Sequence, residues 1–233
     1  MKTLIILPTY NEIQNIPKLI ENIFHLENSV DILVIDDNSP DGTGKLVDKI
    51  AKNNNQVKII HRAGKLGLGS AYIAGFKYAI KNNYDLIFEM DADFSHDPKY
   101  IKNFINASKK MDLVIGSRWI KGGKVIGWPW YRFLTSWGAN FATRILLGLK
   151  IKDVTSGYRC YHCKILKNLN FKEIISTGYA FQEEMIYRTQ KDGFSIGEIP
   201  ITFVDRKIGK SKMGSKEIIS SAKAILKLAF NRN

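Results

Sequence analysis

Asp91 and Asp93 flank a single alanine in Met90-Asp91-Ala92-Asp93, directly after the apolar run Leu86-Ile87-Phe88. A short apolar run of this kind reads as a buried strand. Side chains at i and i+2 of an extended segment point the same way, so the two carboxylates are expected to converge. Converging carboxylates hold a hard divalent cation, and Mg²⁺ at a phosphate site takes one or two of them and completes its shell with phosphate oxygens. The same two residues would also suit the start of a solvated loop, so their meaning depends on their surroundings.

Two further segments offer matching chemistry. Leu7-Pro8-Thr9-Tyr10-Asn11-Glu12 ends the first apolar run, and Ile35-Asp36-Asp37-Asn38-Ser39-Pro40-Asp41-Gly42-Thr43 ends the second. If both runs are neighbouring strands, their loops open on the sheet edge that carries Asp91 and Asp93, where open α/β sheets bind ligands. Tyr10 offers a flat ring to a base. Glu12 and Asp37 offer acceptors to ribose hydroxyls or base amino groups. Turn chemistry by itself accounts for the composition of residues 38–42. Gly64-Lys65-Leu66-Gly67-Leu68-Gly69 is neither a Walker loop nor a dinucleotide fingerprint, and reads more readily as a tight turn than as a phosphate cradle. Residues 205–216 carry five cations among glycines, a composition suited to a loop closing over a polyanion or to a solvated linker.

The elements that must position these residues alternate. Residues 3–7, 31–35, 57–60, 86–88 and 113–115 read as strands. Between them, Ile16, Leu19, Ile20, Ile23 and Phe24 form one helical stripe, and Leu46, Val47, Ile50 and Ala51 another. Asp41 and Thr43 cap the second helix. This alternation predicts βαβ units and a mostly parallel sheet flanked by helices, an α/β fold in one domain. The 233-residue length allows a full core.

Net charge is +13. Residues 1–117 carry 14 Lys/Arg against 14 Asp/Glu, whereas residues 118–233 carry 21 against 8, so the second part holds the whole excess. A basic half needs an anionic partner: nucleic acid, an anionic membrane surface or a phosphorylated substrate. All four tryptophans fall between residues 119 and 137. They suit a membrane-interface position or an ordinary core. Ile218, Ile219, Ala222, Ile225, Leu226 and Ala229 recur at helical spacing opposite Lys216, Lys223 and Lys227, the pattern of a basic amphipathic helix that lies on anionic lipid or docks on a core. No stretch reaches the roughly 18–20 apolar residues that span a bilayer, and the N-terminus has no signal-peptide pattern, so a cytosolic location is expected. Cys160 and Cys163 have C-x-x-C spacing without a second pair. They follow a strand-like run at residues 154–161 rather than opening a helix, and read as structural.

In chain order, Leu7-Pro8-Thr9-Tyr10-Asn11-Glu12, Asp36-Asp37-Asn38-Ser39-Pro40-Asp41-Gly42-Thr43, Leu66-Gly67-Leu68-Gly69-Ser70-Ala71-Tyr72, Met90-Asp91-Ala92-Asp93-Phe94-Ser95-His96, Gly116-Ser117-Arg118 and Phe203-Val204-Asp205-Arg206 resemble one family. It is that of the dolichol-phosphate (polyprenol-phosphate) mannose synthases, glycosyltransferases of the GT-A fold and family-2 type, and the resemblance runs from about residue 2 to about residue 227. It implies transfer of mannose from GDP-mannose to dolichyl or polyprenyl phosphate with inversion at the sugar carbon. Residues 1–117 would be the nucleotide-sugar-binding part and residues 118–233 the basic, acceptor-binding, membrane-facing part of the same domain. By resemblance, Pro8, Tyr10, Glu12, Ile35 and Asp37 surround the guanosine. Asp91, Ala92 and Asp93 hold the diphosphate and a metal, Mg²⁺ or Mn²⁺. Arg118, Arg206 and Lys212 hold donor and acceptor phosphates, and Arg132 and Ser136 lie near the acceptor phosphate. Asp91, Asp93 and Arg118 are the catalytic set. Some members place Gln as a metal ligand where this chain has Ser95.

Many members carry C-terminal transmembrane helices. This chain resembles the catalytic subunits without them, which work peripherally at the cytosolic face of a membrane (endoplasmic reticulum in a eukaryote, plasma membrane in a prokaryote), some with a small membrane-anchoring subunit. Glu184 in Gln182-Glu183-Glu184 lies where other GT-A enzymes keep an acidic base, and is expected here to orient rather than to take a proton. A nucleic-acid partner is not expected, because Asp91 and Asp93 would repel phosphate without a metal. A sister activity, transfer of glucose or another sugar from a UDP-sugar, fits the same motifs.

Overall fold

The computed structural model describes residues 1–176, 178, 180–205 and 215–230, and of residues 215–219 the backbone only. The chain begins with strand β1 (Thr3–Thr9), helix α1 (Ile16–Leu26), β2 (Val30–Asp36), α2 (Thr43–Asn53), β3 (Val57–His61), α3 (Leu68–Lys81), β4 (Leu86–Glu89), α4 (Ile101–Ser108) and β5 (Leu113–Ser117). It continues through β6 (Lys124–Ile126), α5 (Trp130–Leu147), β7 (Arg159–His162), α6 (Cys163–Asn168), α7 (Ala180–Lys191), β8 (Ile196–Pro200), β9 (Thr202–Val204) and α8 (Ser215–Phe230). The five strands expected in the first part all form, each one or two residues longer than its apolar run.

Among the described residues, seven strands make one sheet in the order β3-β2-β1-β4-β7-β5-β8. Only β7 runs antiparallel to its neighbours, β4 and β5. It comes from the second half of the sequence yet sits between two strands of the first, so one sheet serves both parts. β6 and β9 pair as a short separate ribbon.

The period of two along β1 explains the layering. Leu4 and Ile6 face one core, with Tyr72 and Phe76 of α3 and Phe181, Met185 and Ile186 of α7. Ile5 and Leu7 face the other, with Ile16, Leu19, Ile20 and Ile23 of α1, Val47 of α2 and Phe104 of α4. Both faces of the sheet are covered, as a parallel sheet requires.

The register sets the working edge. β1 and β2 end level, Thr9 opposite Asp36, whereas β4 ends with Glu89 opposite Ile6. Residues just beyond β4 therefore rise beside Pro8 and Tyr10 rather than above them.

Candidate active site

The loops after β1 and β2 are stitched together before any ligand arrives. Asp36 accepts hydrogen bonds from Thr9 Oγ1 (3.0 Å), Ser39 Oγ (2.6 Å) and Ser39 N (3.0 Å). Asp41 accepts from Thr43 N (2.9 Å), Thr43 Oγ1 (2.6 Å) and Ile13 N (3.1 Å). Burial by itself would raise the Asp41 pKa, but these donors outweigh it and hold the carboxyl below its ordinary value. Asn11 and Asn38 take positive φ (60° and 55°), the tight backbone that asparagine tolerates.

Three of the expected base-binding residues come together here. Tyr10 is half-buried, with Lys65 Nζ 5.4 Å from its ring centre. Glu12 is buried and accepts from Asn15 Nδ2 (2.8 Å), while its backbone N–H donates to Thr43 Oγ1 (3.0 Å). Asp37 is buried against Arg62, Nε to Oδ1 3.0 Å. Burial raises its pKa, with Arg62 opposing. Pro8 is partly exposed at the end of β1. Ile35 is different: its side chain is wholly buried in the core, so only its backbone could meet a nucleotide.

The acidic motif departs from its expected geometry. β4 stops at Glu89, and Asp91 and Asp93 lie in a bend, with Phe94 at φ 62°, instead of on an extended strand. Asp93 is turned inward, 9% exposed, and accepts from Ser95 N (3.1 Å). Asp91 stays 37% exposed at its side chain. Its backbone N–H donates to His96 Nδ1 (2.9 Å), which places the imidazole proton on Nε2, 3.9 Å from Asp91 Oδ2. His96 is buried and stacked on Tyr158 (4.9 Å between ring centres); burial lowers its pKa, opposed by Asp91 and Asp93. Ala92 is buried between the two acids.

The donor set fits a hard divalent cation. It comprises two carboxylates, that of Asp93 braced by the Ser95 backbone amide and that of Asp91 on a residue whose backbone N–H is held by His96, and a buried Ser95 hydroxyl with no hydrogen-bond partner. Among the described residues no three His, Cys, Asp or Glu side chains converge into a full cage, so such an ion would draw part of its shell from substrate oxygens.

The Arg118 side chain is locked. Its N–H and Nε donate to Asp153 Oδ2 (2.8 Å each), and Nη2 donates to Asp153 Oδ1 and Thr155 Oγ1 (2.7 Å each). Asp153 has no exposure. Burial by itself would raise its pKa, but Arg118 reverses that and holds the carboxyl below the usual range. Asn140 of α5 ties the same loop down by donating to Thr155 Oγ1 (3.1 Å) and accepting from Val154 N (2.8 Å). Arg132 stacks over Trp128 (4.4 Å) and donates to Asp205 Oδ2 (2.8 Å). Ser136 follows one turn later, half-buried. Arg206 and Lys212, with the cationic loop, lie outside the described residues.

Asp153, Asn140 and Thr155 escaped the sequence reading. The available signal was Asp153 itself, one of only 8 acids in the basic half. Glu184 is wholly buried and accepts from Ile175 N, Ser176 N and Arg188 Nε (3.1, 2.9 and 2.8 Å), so it braces the segment before α7. The cysteine pair corrects one expectation: Cys163 does open α6. It is inert for another reason, since burial raises both thiol pKa values.

The aromatic segment is mostly not core. Along α5, Trp130, Tyr131, Phe133, Leu134, Trp137, Phe141, Ile145 and Leu146 are exposed, while Asn140, Thr143 and Leu147 are buried. α8 packs beside it with Leu226 and Phe230 exposed and Ile225 and Leu228 buried. Among the described residues no helix is long and apolar enough to cross a membrane.

The model of glycosyl transferase family 2 matches residues 4–169. The chain is 45% identical to an undecaprenyl-phosphate mannosyltransferase of Micrococcus luteus, covering 91% of this chain and 88% of that one. It is 44% identical to a polyprenol monophosphomannose synthase of Mycolicibacterium smegmatis, covering 93% and 83%. A similar solved structure is glucosyl-3-phosphoglycerate synthase of Mycobacterium tuberculosis with Mn²⁺, UDP and phosphoglyceric acid. Its TM-score is 0.71 at 18% identity, over 98% of this chain and 78% of that one, a likeness of fold. With Tyr10, Glu12, Asp37, Asp91 and Asp93 at the carboxyl edge of one sheet, the chain belongs to glycosyl transferase family 2 and, within it, to the polyprenyl-phosphate mannosyltransferases.

Proposed function

We propose that the protein transfers mannose from GDP-mannose to dolichyl or another polyprenyl phosphate, with inversion, supplying a lipid-linked mannose for protein glycosylation and related pathways. One observation carries this reading: Asp91 and Asp93 stand at the carboxyl edge of the sheet beside Tyr10, Glu12 and Asp37, in a chain 45% identical to a polyprenyl-phosphate mannosyltransferase. Tyr10, Glu12 and Asp37 would take the guanosine. Asp91 and Asp93 would hold Mg²⁺ or Mn²⁺, which when bound neutralises charge on the leaving diphosphate as a Lewis acid.

The acceptor chemistry makes modest demands. A phosphate monoester has its second pKa near ~6 and is largely ionised at neutral pH, so it needs little help from a general base. Alignment and charge neutralisation are then the main tasks. Arg132 and Ser136, at the start of α5, would receive the acceptor phosphate, and Arg206 and Lys212 would join them. Arg118, held by Asp153, would contribute as a fixed positive charge. The exposed aromatic face of α5 would rest on an anionic membrane surface as a peripheral contact, with a small anchoring subunit as a further partner.

The test is transfer of labelled sugar to dolichyl phosphate in detergent. GDP-mannose and UDP-glucose would be compared, each with and without EDTA. EDTA-sensitive transfer from GDP-mannose alone is the expected result. Transfer from UDP-glucose instead would move the donor assignment to the sister activity.

A further inference from the structure

A cleft of about 160 Å³, the space of roughly five waters, opens between α5 and the segment before Asp153. Trp119, Trp137, Asn140, Phe141, Arg144 and Lys152 line it. No carboxylate does. Asp153 beneath it is committed to Arg118, and Glu198 accepts from the backbone N–H groups of Lys152 and Asp153 (2.9 Å each). Arg144 and Lys152 have no ion-pair partner among the described residues, and Arg144 Nε and Trp119 Nε1 are buried donors with none either. The Asn140 amide is already spent on Thr155 and Val154. What the cleft lacks is an acceptor carrying negative charge.

Its mouth is apolar. Trp137 and Phe141 stack at 5.6 Å with an 8° interplanar angle, both about half exposed, and Ile145 continues the same face. A free anion would leave these rings in water. An anion with hydrocarbon attached would cover them. Arg144 lies twelve residues beyond Arg132 on one helix, about 18 Å along its axis, so the cationic end of the cleft is separate from Arg132, while Trp137 and Trp119 at its near end directly follow Ser136 and Arg118.

We propose that this cleft binds the phosphate of an anionic phospholipid of the bilayer, with the acyl chains leaving over Trp137 and Phe141. Such a ligand fixes the far end of α5 on the membrane while Arg132, at the near end, faces the reacting phosphate. The proposal rests on the membrane-facing reading of α5, and the test separates the two.

The full chain is titrated calorimetrically with monomeric dihexanoyl-phosphatidylglycerol, dihexanoyl-phosphatidylcholine and inorganic phosphate. One saturable site for phosphatidylglycerol is expected, with phosphatidylcholine and phosphate each at least about tenfold weaker. Arg144→Gln with Lys152→Gln should weaken it about thirtyfold, the expected scale for two cations at a lipid surface. Trp119→Phe, which removes only the indole donor, should weaken it less, and Lys109→Gln with Lys110→Gln, on the exposed turn after α4, should leave it unchanged. The lipid assignment is overturned by phosphate binding as tightly as phosphatidylglycerol. The location is overturned by an unaffected Arg144/Lys152 variant that melts like wild type, and the site itself by the absence of saturable binding. Sedimentation with phosphatidylglycerol vesicles tests the membrane reading separately: a wild-type chain that stays in solution rejects that reading, while one-to-one binding of the short-chain lipid still upholds the cleft.

Discussion

The two sides of the site hold their charges in opposite ways. On the proposed nucleotide side the expected working groups are acids, and neutral donors brace Glu12 (Asn15) and Asp93 (Ser95) as they do the loop acids Asp36 and Asp41, while Asp37 pairs with Arg62. On the proposed acceptor side the expected working groups are cations, and two are held by single acids: Arg118 by Asp153 and Arg132 by Asp205. Donors from a local loop fix a carboxylate without cancelling its charge, which suits a cation site. An acid opposite an arginine fixes geometry but offsets part of its charge, so the proposed acceptor side would need further cations. Those would come, outside the described residues, from the loop with Arg206 and Lys212.

Asp93→Ala should break the nucleotide side most sharply. The proposed metal position loses a carboxylate while the loop backbone keeps its other contacts. Transfer should fall on the order of a thousandfold, as losses of transition-state charge stabilisation do. The melting temperature should stay within a few degrees. Near-normal turnover would remove the metal assignment.

Asp153→Ala breaks the other side differently. It strands the Arg118 guanidinium, which is only 8% exposed, and deletion of one partner of a buried pair costs about 3–5 kcal/mol. Urea unfolding should register that loss. A cost below about 1 kcal/mol would mean that Arg118 reaches water or another anion, and that the pair is not what fixes it.

The same contrast explains what was legible in the sequence. Strands β1, β2, β4 and β5 announced themselves because each contains an apolar run buried on both faces of the sheet, and the edge strand β3 because Val57, Ile59 and Ile60 flank a single exposed lysine. Tyr10, Glu12, Asp37, Asp91 and Asp93 stand out as candidates because they closely follow such runs. β7 was misplaced: its alternation of Arg159, Cys160, Tyr161 and His162 includes a buried arginine, which no apolar pattern flags, and the run was read as starting at residue 154. The bend at Phe94 was invisible because a positive φ at a non-glycine residue leaves no compositional trace. Asp153 and Asn140 are joined to Arg118 only through space, 35 residues away for the acid, so no local pattern could connect them. Ile35 was carried over by motif position, but the strand's alternation already pointed its side chain into the core. For α5, composition could not separate an interface from a core, because both are rich in aromatics. Exposure separates them.

Where the two sides meet under the sheet edge, Glu89, Arg159, Gln182 and Glu183 form a buried polar group. Arg159 Nε stands 4.0 Å from Glu89 Oε2, and several of the acceptors lack hydrogen bonds. Burial raises the Glu183 pKa to about 7, against 4.5 ordinarily, with its own backbone N–H and Arg159 opposing. Between those values the folded state keeps a proton that the unfolded chain has lost. The contribution of this group to stability is therefore greatest in acid and declines as pH rises from about 4.5 to about 7, by on the order of 3 kcal/mol in all. Glu183→Gln removes that term. The variant should be more stable than wild type at pH 8, with the gap closing by pH 5 in parallel urea titrations. A pH-independent difference would mean that Glu183 stays ionised in the folded protein.

The smallest expected effect tests the exposed face itself. Trp130 and Leu134 lie one turn apart on α5, 76% and 55% exposed. Because neither is packed, changing both to serine should alter stability in water by no more than about 0.5 kcal/mol, the usual range for surface substitutions. If the face rests on lipid, the same change removes buried apolar area at the membrane and should weaken vesicle binding about tenfold or more. The two readouts must diverge for the comparison to hold. A large loss of stability would make Trp130 and Leu134 part of the fold, and unchanged vesicle binding would place the membrane contact elsewhere on the chain. Divergence would show that the apolar face is kept for a partner, whereas the apolar residues on the nucleotide side are kept for the core.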